Sequence, residues 1–296
     1  MKKLIRPTVG VIITTWNRPV ELLNCVLSIL NQSYPVNSIL IIDDLSNTKL
    51  VETTYGNIKS ASDRIEFIYP SEKKYSPAAL RNIGIDKLRT DFIAFCDDDD
   101  LWHPEKLKCQ LETLIRTDAF AAGTAIKTFR KENQLIRENQ ANTNFEWIDL
   151  NAILDNKNVP LSSLIVRNTP IRFKESTEFA FVEDWQFQIE LALKHGSIVK
   201  LSSALTYYRL SSNSSYKPEH AKNAFNVIEN NGSLYSKKKL KKAKARTCFQ
   251  VAYRYNLMGS FLLSSDYCKR VVKDDKLNVK VYILLILNKL RLKIRT

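Results

Sequence analysis

Phe92-Ile93-Ala94-Phe95-Cys96-Asp97-Asp98-Asp99-Asp100 is the stretch on which the fold turns. A short apolar run rich in aromatic residues and closed off by charge has the length of a buried strand. The four carboxylates therefore sit at a strand tip, where the core ends. Like charges side by side raise one another's proton affinity, so the cluster persists only where cations or hydrogen-bond donors offset it. A carboxylate also suits the first turn of a helix, and Pro104 with Glu105 opens a helical pattern here. That role uses one acid and not four. Clustered oxygens at a strand end are a donor set suited to a hard divalent cation.

Outward from this strand, apolar runs alternate with helical stripes. Val9-Gly10-Val11-Ile12-Ile13 reads as a strand, Leu22, Leu23, Val26, Leu27 and Leu30 after Pro19 as a helix face, and Ile39 to Ile42 as a second strand. Ser76 and Pro77 mark a helix start with Leu80, Ile83 and Leu88 inward. Beyond the acids, Leu107, Leu111, Leu114 and Ile115 share a helix face. This alternation predicts an α/β architecture with active groups at the C-terminal ends of strands. Residues 120–180 mix short apolar runs with Asn-rich stretches. A stripe returns at Trp185, Ile189, Leu191, Ala192 and Leu193, just after Glu183-Asp184, and Ser211 to Ser215 reads as a loop. Residues 218–296 read as mostly helical, apart from the strand-like alternation Leu290-Arg291-Leu292-Lys293-Ile294-Arg295. The expected division is a domain over 1–215 and a helical, basic extension over 216–296.

Composition narrows the function classes. The net charge of +14 is concentrated in residues 237–296, where 17 Lys and Arg face 3 Asp and Glu, so residues 1–236 are balanced. A neutral body with a basic appendage points to one docking surface. No run approaches the ~20 apolar residues of a membrane span, and the N-terminus enters a strand pattern without a signal-peptide cleavage site. The five cysteines form no C-x-x-C pair, which argues for reduced thiols in the cytoplasm and against disulfides or zinc. His103, His195 and His220 have no ligand spacing and read as surface residues or residues behind the site. Trp102 and Trp185 are candidates for stacking on sugar rings, with core packing the competing role. With only seven glycines and neither a G-x-x-x-x-G-K-[ST] loop nor a G-x-G-x-x-G turn, a bound diphosphate cannot rest on a glycine-rich cradle. Carboxylate-held Mg²⁺ or Mn²⁺ is the substitute.

Four segments, Val11-Ile12-Ile13-Thr14-Thr15-Trp16-Asn17-Arg18, Ile41-Ile42-Asp43-Asp44-Leu45-Ser46, Ala79-Leu80-Arg81-Asn82-Ile83-Gly84-Ile85 and Phe95-Cys96-Asp97-Asp98-Asp99-Asp100-Leu101-Trp102, resemble in kind and order the family 2 glycosyltransferases of the GT-A fold. Glu183-Asp184-Trp185 and Tyr207-Tyr208-Arg209 extend the resemblance to about residue 215. It implies a GT-A nucleotide-sugar-binding fold, a Rossmann-like mixed sheet with flanking helices. It also implies that Thr14, Asn17 and Arg18 border the nucleotide pocket and that Asp44 accepts from the base or ribose, with Asp43 structural. Arg81 stands near the nucleotide or diphosphate. The family's D-x-D matches Asp97 and Asp99 as metal ligands for Mn²⁺ or Mg²⁺, with Asp98 reaching the ribose, although four acids leave the register open by one residue. Asp184 matches the catalytic base. Relatives often carry a histidine two residues after the arginine matched by Arg209; Leu210 and Ser211 stand here, so Arg209 is left as the phosphate contact of that loop.

The resulting expectation is an inverting transfer of a sugar from a nucleotide-diphosphate donor, a UDP-sugar, to a hydroxyl of a growing surface glycan such as lipopolysaccharide or capsule. The extension would hold the enzyme at the inner face of the cell membrane, through its charge and the apolar run Val281 to Leu287. That run also suits core packing or a contact between copies of the chain. Two other readings compete. A sugar nucleotidylyltransferase would open with a glycine-rich loop, which Thr14-Thr15-Trp16-Asn17 lacks. A nucleic-acid-binding protein could use Lys237-Lys238-Lys239-Leu240-Lys241-Lys242, yet it would have no need of the acids, and no nucleic-acid partner is expected.

Overall fold

In β1 (Val9–Thr15) every residue but Thr14 is buried, and β2 (Ser38–Asp43) and β4 (Phe92–Asp97) are equally apolar. Strands without alternation are covered on both faces, the situation of parallel strands layered between helices. The computed structural model, which describes residues 6–71, 76–131, 141–210, 218–275 and 278–294, shows that arrangement. β1 pairs in parallel with both β2 and β4, and β3 (Ile65–Ile68) extends the sheet beside β2. Beyond β4 the sheet turns mixed. β8 (Ile165–Arg167) runs antiparallel to β4 and to β6 (Ala121–Phe129), and β6 pairs in parallel with β9 (Ile198–Arg209). β5 (Leu101–Trp102) and β7 (Phe145–Ile148) both pair antiparallel with β9. The order is β3-β2-β1-β4-β8-β6-β9-β5, with β7 off this path. The register sets Thr14 opposite Asp97 and Thr15 opposite Asp43, so the ends of β1, β2 and β4 are level.

The chain divides into two compact units, residues 1–174 with 187–212, and residues 175–186 with 213–296. The first holds, with the sheet, α1 (Pro19–Leu30), α2 (Thr48–Ala61), α3 (Pro77–Lys87), α4 (Lys106–Thr117) and the short α5 (Leu150–Leu154). The helix faces differ in part from the stripes in the sequence. Leu27, Ile115 and Leu193 point to solvent, while Cys25, Ile29 and Ile85 are buried. Polar residues buried through hydrogen bonds explain some of this shift. Gln110 in α4 is fully buried because its side-chain amide donates to the carbonyls of Ala122 and Ser163 at 2.9 and 2.8 Å.

α3 lies close on β1 because Gly84 has no side chain there: a Cβ would come within 2.9 Å of three side-chain atoms of Ile12. Gly84→Val is therefore expected to lower stability by about 1–3 kcal/mol through overpacking. Urea unfolding of the variant checks this, and an unchanged midpoint would contradict it.

In the second unit, α7 (Pro218–Asn230), α8 (Lys237–Leu257), α9 (Phe261–Asp274) and α10 (Val279–Lys289) enclose a core that includes Cys248, Ala252, Cys268, Val271, Val281 and Leu284. A buried polar knot ties α8, α9 and α10 together. The Asn256 amide donates to Asn288 Oδ1 at 2.8 Å, the Asn288 amide to Ser264 Oγ at 2.8 Å, and Ser264 Oγ to the Ala252 carbonyl at 2.7 Å. The alternation after Leu290 forms no strand over 290–294, where the chain leaves α10 in a turn and Asn256 also receives the backbone of Ile294. The expected loop at Ser211 to Ser215 and Arg295, the last residue of that alternation, lie outside the described residues.

Candidate active site

The level ends of β1, β2 and β4 open onto a pocket of about 440 Å³. Its walls are Thr14, Thr15, Trp16 and Arg18 after β1, Asp44 after β2, Pro77, Leu80 and Arg81 from the start of α3, Asp97, Asp98 and Asp99 at the end of β4, and Tyr208 from β9. Ser76 caps α3 through the N–H of Ala79, and that start presents Arg81 to the pocket.

The acidic run folds as a tight turn, with the N–H of Asp100 donating to the Asp97 carbonyl. This splays the four carboxylates toward different partners. Asp97 accepts from Arg81 Nη2 at 3.0 Å, and Asp99 from Arg18 Nη1 at 2.8 Å. Asp98, 5 % exposed, accepts from the Thr15 hydroxyl at 2.7 Å and from the same Arg18 nitrogen at 3.0 Å. Asp100 is buried and takes the N–H of Arg209 at 2.8 Å. The offsetting donors that the sequence demands are thus two arginines, a threonine and a backbone amide. Burial still dominates the protonation of Asp98: it pushes the carboxyl up to about 6, against the opposing pull of Arg18 and Thr15. Burial raises Asp99 and Asp100 as well, and the Asp97 charge adds to it.

Other expected site residues brace this pocket. Asn17 adopts a left-handed backbone with φ of 55°, a conformation asparagine tolerates. Its N–H donates to Ser46 Oγ at 2.7 Å, and its side-chain oxygen accepts from the N–H of Asn47 at 2.7 Å. It therefore ties the loop after β1 to the loop after β2 and is not among the pocket-lining residues. Asp43 is buried and accepts from the hydroxyl and N–H of Ser46, which leaves its neighbour Asp44 facing the pocket. Arg209 also lies behind the acids. Its Nε donates to the Asp99 carbonyl at 2.8 Å and its guanidinium covers the Phe129 ring at 4.5 Å.

Asp184 sits in the first turn of α6 (Glu183–His195). Its carboxylate accepts the N–H of Trp185 at 2.8 Å. The two tryptophans that the sequence leaves between ring stacking and core packing take the second role. Trp102 and Trp185 are core residues, each 3 % exposed, and Trp102 donates its indole N–H to the Ser162 carbonyl. The half-exposed Trp16 and Tyr208 are the pocket's aromatic faces. The histidines are engaged too. His103 is buried and accepts the N–H of Glu105, while His195 and His220 stack on Phe120 and Phe181.

Sequence reading passed over Lys106, which is fully buried, bonded to Gln110 at 2.9 Å and placed 3.9 Å over the Trp102 ring. Burial pushes its pKa down to about 7. A free lysine titrates near ~10.4, so between pH about 7 and 10 the unfolded chain holds a proton that the folded chain has shed. Lys106 therefore contributes stability that rises with pH across that window. Lys106→Met is expected to abolish this slope. Urea midpoints at pH 7, 8.5 and 10 that run parallel for both proteins would refute it.

Among the described residues no group of three or more His, Cys, Asp or Glu side chains forms a cation cage. A magnesium-type ion held beside a diphosphate asks for one or two carboxylates, the rest of its shell coming from phosphate and water. Asp97 and Asp99 both line the pocket, and each leaves one oxygen outside its arginine pair, so the donor set fits such an ion.

Comparison with known proteins places this geometry. The family model described as Glycosyl transferase family 2 matches residues 10–174. An uncharacterized glycosyltransferase of Haemophilus influenzae is 34% identical over 110 residues, 37% of this chain and 43% of that protein. The GalNAc(5)-diNAcBac-PP-undecaprenol beta-1,3-glucosyltransferase of Campylobacter jejuni is 31% identical over 134 residues, 45% of this chain and 42% of that protein. The match thus spans less than half the length of these relatives. Among solved structures, S. aureus TarS 1–349 in complex with UDP-GlcNAc superposes with a TM-score of 0.64 at 16% identity, covering 96% of this chain and 88% of that one. The mannosyltransferase PcManGT from Pyrobaculum calidifontis, in complex with GDP-Man and Mn²⁺, gives 0.62 at 12%, covering 97% and 81%. At these identities the structural likeness is one of fold.

Proposed function

The chain belongs to glycosyl transferase family 2, and from that premise we propose that it is an inverting, metal-dependent enzyme that moves a hexose or N-acetylhexosamine from a UDP-sugar to a hydroxyl of a growing surface glycan. The observation that carries this reading is the convergence of Asp44, Arg81, Asp97 and Asp99 on one pocket at the level strand ends. Asp44 has the acceptor oxygens to take hydrogen bonds from the base or ribose. Arg81 and Arg18 face the place of the diphosphate with fixed positive charge, and Trp16 and Tyr208 offer ring faces to the nucleoside or sugar. Asp97 and Asp99 would hold Mn²⁺ or Mg²⁺, which offsets negative charge on the departing diphosphate.

Inversion requires one displacement, with the acceptor hydroxyl attacking the face opposite the leaving group. A single carboxylate must take that hydroxyl's proton. We assign this to Asp184, in the first turn of α6. Surface-glycan acceptors are supported by the Campylobacter jejuni relative, whose substrate is undecaprenol-linked. Among the described residues no helix is long and apolar enough to cross a membrane, so a lipid-linked acceptor would be met by peripheral contact of the basic extension at the inner face of the membrane. The test is nucleoside diphosphate release by purified protein with Mn²⁺, across UDP- and GDP-sugars. Folded protein that releases nothing from any donor, with or without a polyprenyl-linked glycan, would sink the reading.

A further inference from the structure

α10 buries Val281, Leu284 and Asn288 against the second unit and turns a second apolar stripe outward. Val279, Tyr282, Ile283, Ile286 and Leu290 follow one another at helical spacing, and all five are exposed, from 42 % at Tyr282 to 69 % at Val279. Helices in water keep that face polar, and a contiguous apolar stripe on a surface marks a binding face. Lys280 and Lys289 lie on opposite flanks of the stripe, between it and the buried face. Lysines so placed can lay their stems along an apolar phase and keep their ammonium groups in water. Leu262, 86 % exposed at the start of α9, and Leu292, beyond the end of α10, add to the apolar surface of this unit.

Charge selects the occupant. Residues 237–296 carry 17 Lys and Arg against 3 Asp and Glu, so a second copy of this unit would bring like charges together, whereas an anionic surface draws them in. The first turn of α8 holds Lys237, Lys238 and Lys239 and no acid. Cations at that end oppose the helix dipole, so they do not serve the helix itself. A polyanion such as nucleic acid would satisfy the lysines and leave the apolar stripe in water.

We propose that the outward face of α10 docks the protein on an anionic lipid bilayer. The helix lies in the plane of the interface, with Tyr282, Ile283 and Ile286 among the acyl chains and Lys280 and Lys289 at the level of the phosphates. This rests on the reading that the basic extension contacts a membrane and names the residues that do so. An 11-residue helix is too short to span, and a lone apolar stripe binds marginally without help from charge, so binding requires both anionic lipid and the stripe.

The test is flotation of the full chain with phosphatidylcholine vesicles, with and without phosphatidylglycerol, at low salt and without donor sugar. Binding is expected only with the anionic lipid. It should fall ~10-fold or more in the double variant Ile283→Asp with Ile286→Asp, and about 5-fold for each of Lys280→Gln and Lys289→Gln. Both isoleucines are solvent-exposed, so circular dichroism should show unchanged folding. Ile286→Trp adds a direct probe, whose emission should shift to the blue on anionic vesicles alone. Undiminished flotation of the double Asp variant would overturn the assignment to α10 while leaving the membrane reading intact. Failure of the unaltered protein to float would overturn both. Self-association that the same double variant abolishes, without flotation, would make a second copy the occupant.

Discussion

Asp184→Asn is expected to bind the donor as the unaltered enzyme does and to transfer sugar about 10²- to 10⁴-fold more slowly. An amide is nearly the size of a carboxylate but cannot take the acceptor proton. The local structure favours a clean result, because the carboxylate accepts the N–H of Trp185 at the start of α6 and asparagine offers an equivalent acceptor there. The charge beside the helix dipole is lost, worth roughly 0.3–1 kcal/mol of stability. Donor titration with and without Mn²⁺, beside single-turnover transfer, separates the two functions. A variant that transfers at near-normal rate would move the base to another carboxylate, with Glu183 the first to examine.

The parallel half of the sheet was legible from sequence because its strands are nearly pure apolar runs. Val9 to Ile13, Ile39 to Ile42 and Phe92 to Cys96 all lie in central strands. Less legible were α2, where only Val51, Tyr55 and Ile58 are buried, and the mixed half of the sheet. There β6 alternates buried and exposed residues only in part and shifts register twice against β9. Pairings between residues far apart in the chain leave no local period to read. The site followed the same division. Asp97, Asp99, Asp44 and Arg81 stand at strand and helix ends that the apolar pattern itself locates. Thr15 carries no charge and was passed over, although Asp98 binds it through its hydroxyl. Tyr208 faces the pocket from β9, a strand whose pairing the sequence does not reveal. For Trp102 and Trp185 the sequence left stacking and core packing both open, since an indole beside a motif says nothing about which way its ring points, and both rings pack in the core. Lys106 escaped notice because a lysine is read as surface unless its neighbours are known, and its partner Gln110 is itself a residue that composition assigns to the surface.

Asp99→Ala is expected to weaken metal-supported donor binding and to cut turnover ~10²-fold or more while leaving the fold nearly intact, whereas Asp98→Ala should do the reverse in emphasis. The contrast follows from how the two acids are used. Asp99 pairs with Arg18 at 2.8 Å, but the same guanidinium nitrogen also reaches Asp98 at 3.0 Å, so removing Asp99 leaves Arg18 paired and no donor stranded. What is lost is a pocket oxygen for the divalent ion, and with it charge compensation for the leaving diphosphate. Removing Asp98 strips a buried partner from both Thr15 and Arg18, an effect of about 1–3 kcal/mol on stability. Turnover would then fall because the loop after β1, which carries Thr14 and Trp16 into the pocket, is no longer held. Thermal unfolding of both variants, with donor affinity measured in Mn²⁺ and in EDTA, distinguishes the cases. Donor binding by the Asp99→Ala protein that is tight and insensitive to EDTA would remove Asp99 from the metal site and defeat this assignment.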